Sequence, residues 1–135
     1  MKTEKNKTFV KNGFIAAGAV NIGGVLLFSR AFTNETINQA DPVVMSNFGL
    51  LMIMVWGLAY ISVANAYEKV KWLVGVFAVE KLIYATVWGL WIVKNDLGNI
   101  YSQDLLGGIF YTIYGPNDFL FMLFFAWVFL KTENF

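Results

Sequence analysis

Four long apolar stretches constrain this chain more than any other feature. A helix that crosses a bilayer needs roughly 20 mostly apolar residues, and residues 13–29, 43–64, 72–93 and 105–130 each come close to or exceed that length. Inside lipid only helices and closed barrels satisfy their backbone hydrogen bonds. None of the four stretches alternates apolar and polar residues with the period of two that a barrel strand requires. The expected architecture is therefore all-α: one membrane domain of four transmembrane helices covering residues 1–135.

Composition agrees. The chain is 58% hydrophobic and 14% charged, against about 25% charged residues in a soluble domain. The first stretch follows a basic tail, as a secretory signal would, and "SRA" at Ser29–Ala31 loosely fits a cleavage site. Its apolar run exceeds the 7–15 residues of a typical signal core, so it is read as a retained span.

The basic residues sort by side. Lys2, Lys5, Lys7 and Lys11 precede the first span, Lys69 and Lys71 lie between the second and third, and Lys131 follows the fourth. The opposite side holds Arg30 and Lys94 with Glu35, Asp41, Asp96 and Asp104. The positive-inside rule puts both termini in the cytoplasm. The Lys, Asn and Phe content suggests a bacterial cytoplasmic (inner) membrane. The short connection "AYEKVK" makes the second and third spans antiparallel neighbours, and Asp41-Pro42 reads as a helix start, with Asp as N-cap and Pro in the first turn. Tyr67, Trp72, Trp91, Tyr101 and Trp127 fall near span ends, the positions of an interfacial aromatic belt.

Several chemistries are excluded. The chain has no Cys and no His, which removes thiolate nucleophiles, Ser–His catalysis and the common zinc, haem and iron–sulfur ligands. No phosphate-binding loop, dinucleotide fingerprint, nucleophile elbow or HExxH helix is present. A net charge of +1 gives no case for nucleic acid. No cofactor, metal site or catalytic residue is expected, and the partners are the lipid bilayer and, through the small residues of span one, a further copy of the chain or another membrane subunit. Gly13, Ala17, Asn21 and Gly24 share one face of that span, where small side chains permit close helix approach, either to another helix of the same chain or to a partner subunit.

The informative residues are the polar ones inside the spans. At about 1.5 Å per residue from the cytoplasmic ends, Asn21, Glu80 and Lys81 lie roughly 15 Å deep and Asp118 roughly 20 Å. In a hydrocarbon core of about 30 Å all four fall near the middle. Each charge there costs at least about 2.5–3.5 kcal/mol, so the set must face inward and find partners. Glu80 and Lys81 point about 100° apart on one helix and cannot pair with each other. Lys81 is therefore expected to meet Asp118, the remaining intramembrane carboxylate. Glu80 is left to a Tyr, to Asn21, or to a partner outside the chain. With all three ionised the layer carries one excess negative charge, which a proton, a metal cation or a cationic ligand could balance.

Tyr84 lies one turn from Glu80, with Trp88 a further turn along. Tyr111, Tyr114 and Asp118 share a face of span four. In "YGPND", Gly115 and Pro116 precede Asn117 and Asp118. Pro116 cannot donate to the Thr112 carbonyl, so a kinked long helix is expected rather than one that begins at Pro116, which would be short for a span. The candidate ligand or ion site is thus Glu80, Lys81, Asp118, Asn21, Tyr84, Tyr111, Tyr114 and Asn117. The leading functional expectation is a midplane site that binds or moves a proton, a cation or a small polar ligand. The alternatives are an accessory subunit whose buried charges only orient helices, and a lipid-acting enzyme, with a non-catalytic role favoured.

Overall fold

The computed structural model describes residues 3–133. Lys2, counted above in the basic tail, lies outside them. Every regular element among the described residues is helical. The order is α1 (Glu4–Phe28), α2 (Glu35–Ala40), α3 (Asn47–Val63), a 3₁₀ turn (Tyr67–Lys69), α4 (Lys71–Lys94), α5 (Leu97–Gln103) and α6 (Leu105–Lys131). Three of these, α1, α4 and α6, are long and apolar enough to cross a membrane, whereas α3 is apolar but only 17 residues long.

The helix limits follow from local caps. α1 starts nine residues ahead of its apolar run, because the Thr3 hydroxyl accepts from the Asn6 amide at 3.1 Å and Glu4 sits where the helix dipole favours an acid. The expected start of span two at Asp41-Pro42 is corrected. Asp41 accepts from the Val44 amide at 3.3 Å and its carbonyl from the Met45 amide at 2.9 Å, which closes a single turn. Ser46 then opens a second helix start, its hydroxyl accepting from Gly49 at 3.1 Å. Two caps in close succession divide the apolar run, so α3 begins at Asn47. Pro116 lies inside an unbroken α6. The connection from α1 to α3 holds the short helix α2, and the connection from α4 to α6 holds α5.

α1 packs on α3, α4 packs on α6, and α1 also meets α6. Gly18 and Gly57 set the first of these contacts: a Cβ on Gly57 would lie 2.9 Å from the Gly18 carbonyl oxygen, so only glycine lets the two backbones approach this closely. This is the intramolecular use of the small residues on span one. The expected pairing of spans two and three is correspondingly loosened. α3 and α4 are joined by the short 3₁₀ turn and meet through side chains near it (Trp56 and Tyr60 against Phe77, ring centroids 6.1 and 4.9 Å apart), but they diverge beyond.

The start of α1 and the end of α6 lie at one end of the assembly, where Lys7 approaches Glu68 at 3.7 Å and the Lys71 ammonium sits 4.8 Å from the centre of the Phe129 ring. At the opposite end Arg30, Ala31 and Phe32 all adopt left-handed backbone, with φ of 49°, 56° and 69°. That run costs roughly 1–2 kcal/mol per non-glycine residue. It is offset by a bond from the Phe32 amide to Ser29 Oγ at 2.9 Å, and by one from Asn47 Nδ2 to the Phe32 carbonyl at 3.0 Å. The core falls into two apolar clusters, one built on Phe14, Phe77, Tyr60 and Phe125 toward the termini, the other on Trp91, Tyr111, Ile37 and Leu50 toward the opposite end.

The aromatic belt is corrected in part. Trp72 is 72% exposed, and Tyr101 and Trp127 are also exposed, as belt residues would be. Tyr67 and Trp91 are buried instead. Tyr67 stacks on Phe14, and Trp91 stacks on Tyr111 at 4.3 Å while its indole N–H donates to the Ala40 carbonyl at 2.9 Å. Short helices α2 and α5 cover the end of the assembly and turn a span-end tryptophan into a core residue.

Candidate functional site

A polar layer lies between the two apolar clusters. α1 supplies Asn21, α3 Tyr60, α4 Glu80 and Lys81, and α6 Asp118. Lys81 is 1% exposed. Its ammonium lies 2.9 Å from Asp118 Oδ1 and 3.0 Å from Asn21 Oδ1. The Tyr60 ring, 5.3 Å from the ammonium, offers its π face as a further electrostatic contact. Asn21 passes its remaining polarity on, donating from Nδ2 to the Ile53 carbonyl at 2.9 Å, and Asn117 Nδ2 donates to Asp118 Oδ1 at 3.2 Å. This half of the layer ties α1, α4 and α6 together in one hydrogen-bonded unit.

Glu80 belongs to a different environment. Its carboxylate accepts a hydrogen bond from the Tyr60 hydroxyl. It also lines a cleft of about 400 Å³ that opens between α3 and α4 where they diverge. Met52, Trp56, Ile83 and Val87 form most of the walls, and Tyr84 lies beside Glu80. Neither Lys81 nor Asp118 lines this cleft. They sit behind Glu80, and a second, smaller cavity of about 70 Å³ between α1, α3 and α6 reaches Asn21, Asn117 and Asp118 from the other side. The adjacent residues Glu80 and Lys81 thus point in different directions, Glu80 to the cleft and Lys81 to Asp118 and Asn21, as their 100° offset on a helix requires.

The other candidate residues divide between these places. Tyr84 stands in the cleft. Tyr114 lines the small cavity with its hydroxyl buried and without a protein hydrogen bond. Tyr111 is not in the layer: its hydroxyl donates to the Ile37 carbonyl at 2.7 Å, fastening α6 to α2. Gly115 is a socket rather than a loosened joint. A Cβ there would collide with the Trp88 ring, and the Trp88 indole donates to the Tyr111 carbonyl at 2.6 Å. Tyr60 is the one member that sequence reasoning left out. It lies nine residues before Lys69, roughly 14 Å deep by the same helical rise that placed Glu80, so its depth is the signal that marks it.

Away from the layer, a polar network closes the end opposite the termini. Arg30 donates to Asp104 at 2.5 Å, Asn34 donates to it at 2.7 Å, and the Gly107 amide at 2.7 Å makes Asp104 the N-cap of α6. Burial alone would raise the Asp104 carboxyl, but these bonds outweigh it and hold the carboxyl below its usual range.

Among the described residues no group of three acids is placed to hold a metal ion. The chain matches no protein-family model, no curated protein and no solved structure. The candidate chemistry therefore rests on the layer itself: one acid–base pair enclosed among helices, and one carboxylate at the wall of a side-opening cleft.

Proposed function

We propose that this is a small four-span membrane protein whose midplane site binds, and in turn moves, a proton, a cation or a small polar ligand at Glu80. α3 is about 25 Å long at helical rise, and with the turn at residues 41–46 ahead of it it serves as the fourth span. The lysines at the start of α1, at the end of α6 and around the 3₁₀ turn favour a cytoplasmic position for that end, and composition favours a bacterial inner membrane. The observation that carries the reading is the position of Glu80 in the cleft with the Lys81–Asp118 pair behind it. A carboxylate kept within an apolar layer is costly; Glu80 is buried, and it lines the cleft rather than joining the Lys81–Asp118 pair. Tyr60 and Tyr84 are supporting groups. Lys81, Asp118, Asn21 and Asn117 hold the wall on which Glu80 is mounted.

The accessory-subunit reading draws on the same pair: Lys81–Asp118–Asn21 joins three helices and would orient them in any role. The open glycines of α1, Gly23 and Gly24, leave a face on which a second copy or another subunit could pack. The two readings part at Glu80. Fluxes of protons, of a monovalent alkali cation and of a small amine are to be compared in liposomes holding wild type or Glu80→Gln. At least one is expected to depend on Glu80. Identical behaviour for all three would take Glu80 out of the mechanism and leave the accessory role.

A further inference from the structure

We propose that the cleft between α3 and α4 takes a lipophilic organic monocation, an alkylammonium with an apolar body, entering sideways from the bilayer. This rests on the Glu80 site proposed above and narrows its ligand. The volume is the first support: about 400 Å³ lies in the range of small-molecule pockets, about 300–1,000 Å³, and exceeds what a bare ion needs. The lining is the second. Among the cleft residues only Glu80 offers a carboxylate and Tyr84 a hydroxyl oxygen, while Val44, Met52, Ile83 and Val87 are apolar. A calcium or magnesium ion requires six or more oxygen ligands, and these walls cannot replace a hydration shell. An alkylammonium needs a single acceptor for its head and apolar surface for its tail, and the cleft supplies both. Trp56 and Tyr84 add π faces of the kind that attract organic cations.

Charge is the third support. The layer holds two acids, Glu80 and Asp118, and one base, Lys81. The base is committed to Asp118 at 2.9 Å, so the excess negative charge of the ionised layer falls on the residue that faces the cleft. A monocation seated at Glu80 brings the layer to neutrality. A lipid acyl chain would fill the same apolar walls without doing so.

The test is binding of radiolabelled decylamine to the full chain in phosphatidylcholine nanodiscs, with empty discs subtracted. Decanol is the neutral isostere and labelled sodium the inorganic cation. Decylammonium is expected to bind saturably and to weaken roughly tenfold or more in Glu80→Gln, as the loss of a charge-assisted hydrogen bond implies, with decanol showing no Glu80 dependence. Met52→Trp, which narrows the cleft and leaves the polar layer intact, is expected to weaken it likewise and stands in if Glu80→Gln does not fold. Equal binding of decanol and decylamine, indifferent to Glu80, would mark the cleft as an acyl-chain groove and overturn the inference. Glu80-dependent sodium binding without decylammonium binding would overturn it while leaving the midplane site in place. No Glu80 dependence for any probe would overturn both.

Discussion

Replacing Lys81 by Met removes the ammonium but keeps much of the side-chain volume. In the wild type Lys81 is 1% exposed, and its ammonium holds Asp118 at 2.9 Å and Asn21 at 3.0 Å. If these were ordinary interhelical hydrogen bonds, averaging about 0.6 kcal/mol each, the loss would be only about 1.2 kcal/mol. The pair is ionic and enclosed, however, and Asp118 would keep only the bond from Asn117. Breaking one partner of a buried ion pair costs about 3–5 kcal/mol, whereas replacing both by apolar residues is often neutral. Lys81→Met is therefore expected to destabilise by about 3–5 kcal/mol, and Lys81→Met with Asp118→Leu to return to within about 1 kcal/mol of wild type. Equilibrium unfolding in mixed micelles with increasing denaturing detergent, followed by tryptophan fluorescence, measures both. A single-mutant cost near 1 kcal/mol, or a double mutant as unstable as the sum of its singles, would refute the assignment of the pair as an enclosed clamp.

Three further outcomes follow from the packing. Tyr60→Phe keeps the ring contacts with Phe77 and Phe125 but removes the donor to Glu80. It is expected to cost about 1–3 kcal/mol in the same unfolding assay, the range for a buried group that loses its partner, and no change would mean that the bond is immaterial. Gly115→Val, which drives side-chain atoms into the Trp88 ring, is expected to cost about 1–3 kcal/mol by overpacking; a neutral result would show that Trp88 has room to move. Asp104→Ala removes the α6 N-cap together with the partners of Arg30 and Asn34, and is expected to cost about 0.5–2 kcal/mol at pH 7. Because the folded carboxyl titrates below its unfolded value, that contribution is complete at pH well above about 3.9 and is lost as pH falls through the folded value. The gap between wild type and Asp104→Ala should therefore close in acid, and a gap that widens in acid would contradict the sign.

The long helices are legible in the sequence because apolar length is all that a span demands. The Lys81–Asp118 contact is legible for a similar reason: adjacent residues on a helix diverge, and one carboxylate remains at the right depth. What escapes is whatever depends on how the helices are arranged. Trp91 and Tyr67 look like interfacial anchors until short helices and neighbouring rings bury them. The start of α3 escapes because Asp41 and Ser46 are both good caps, and their competition is settled by the turn that Met45 closes. Tyr111 shares a helical face with Asp118, but α2 captures its hydroxyl. The cleft itself has no linear signature. It exists because Gly18 and Gly57 draw α3 toward α1, and Gly115 seats Trp88 and draws α4 onto α6, so α3 and α4 part above their short connection.

The central claim is that one polar layer holds two carboxylates in different places, Glu80 at the wall of the cleft between α3 and α4 and Asp118 paired with Lys81 beside the smaller cavity between α1, α3 and α6. A hydrophobic carbodiimide, which reacts with carboxyl groups reachable from the bilayer, tests it directly when applied to the intact protein in membranes and read by mass spectrometry of the two peptides. Modification at Glu80 is expected to be suppressed by Met52→Trp, and any modification at Asp118, which lies outside the cleft, to be unaffected by it. Modification of Glu80 that Met52→Trp leaves unchanged, or that falls equally at both residues, would contradict it.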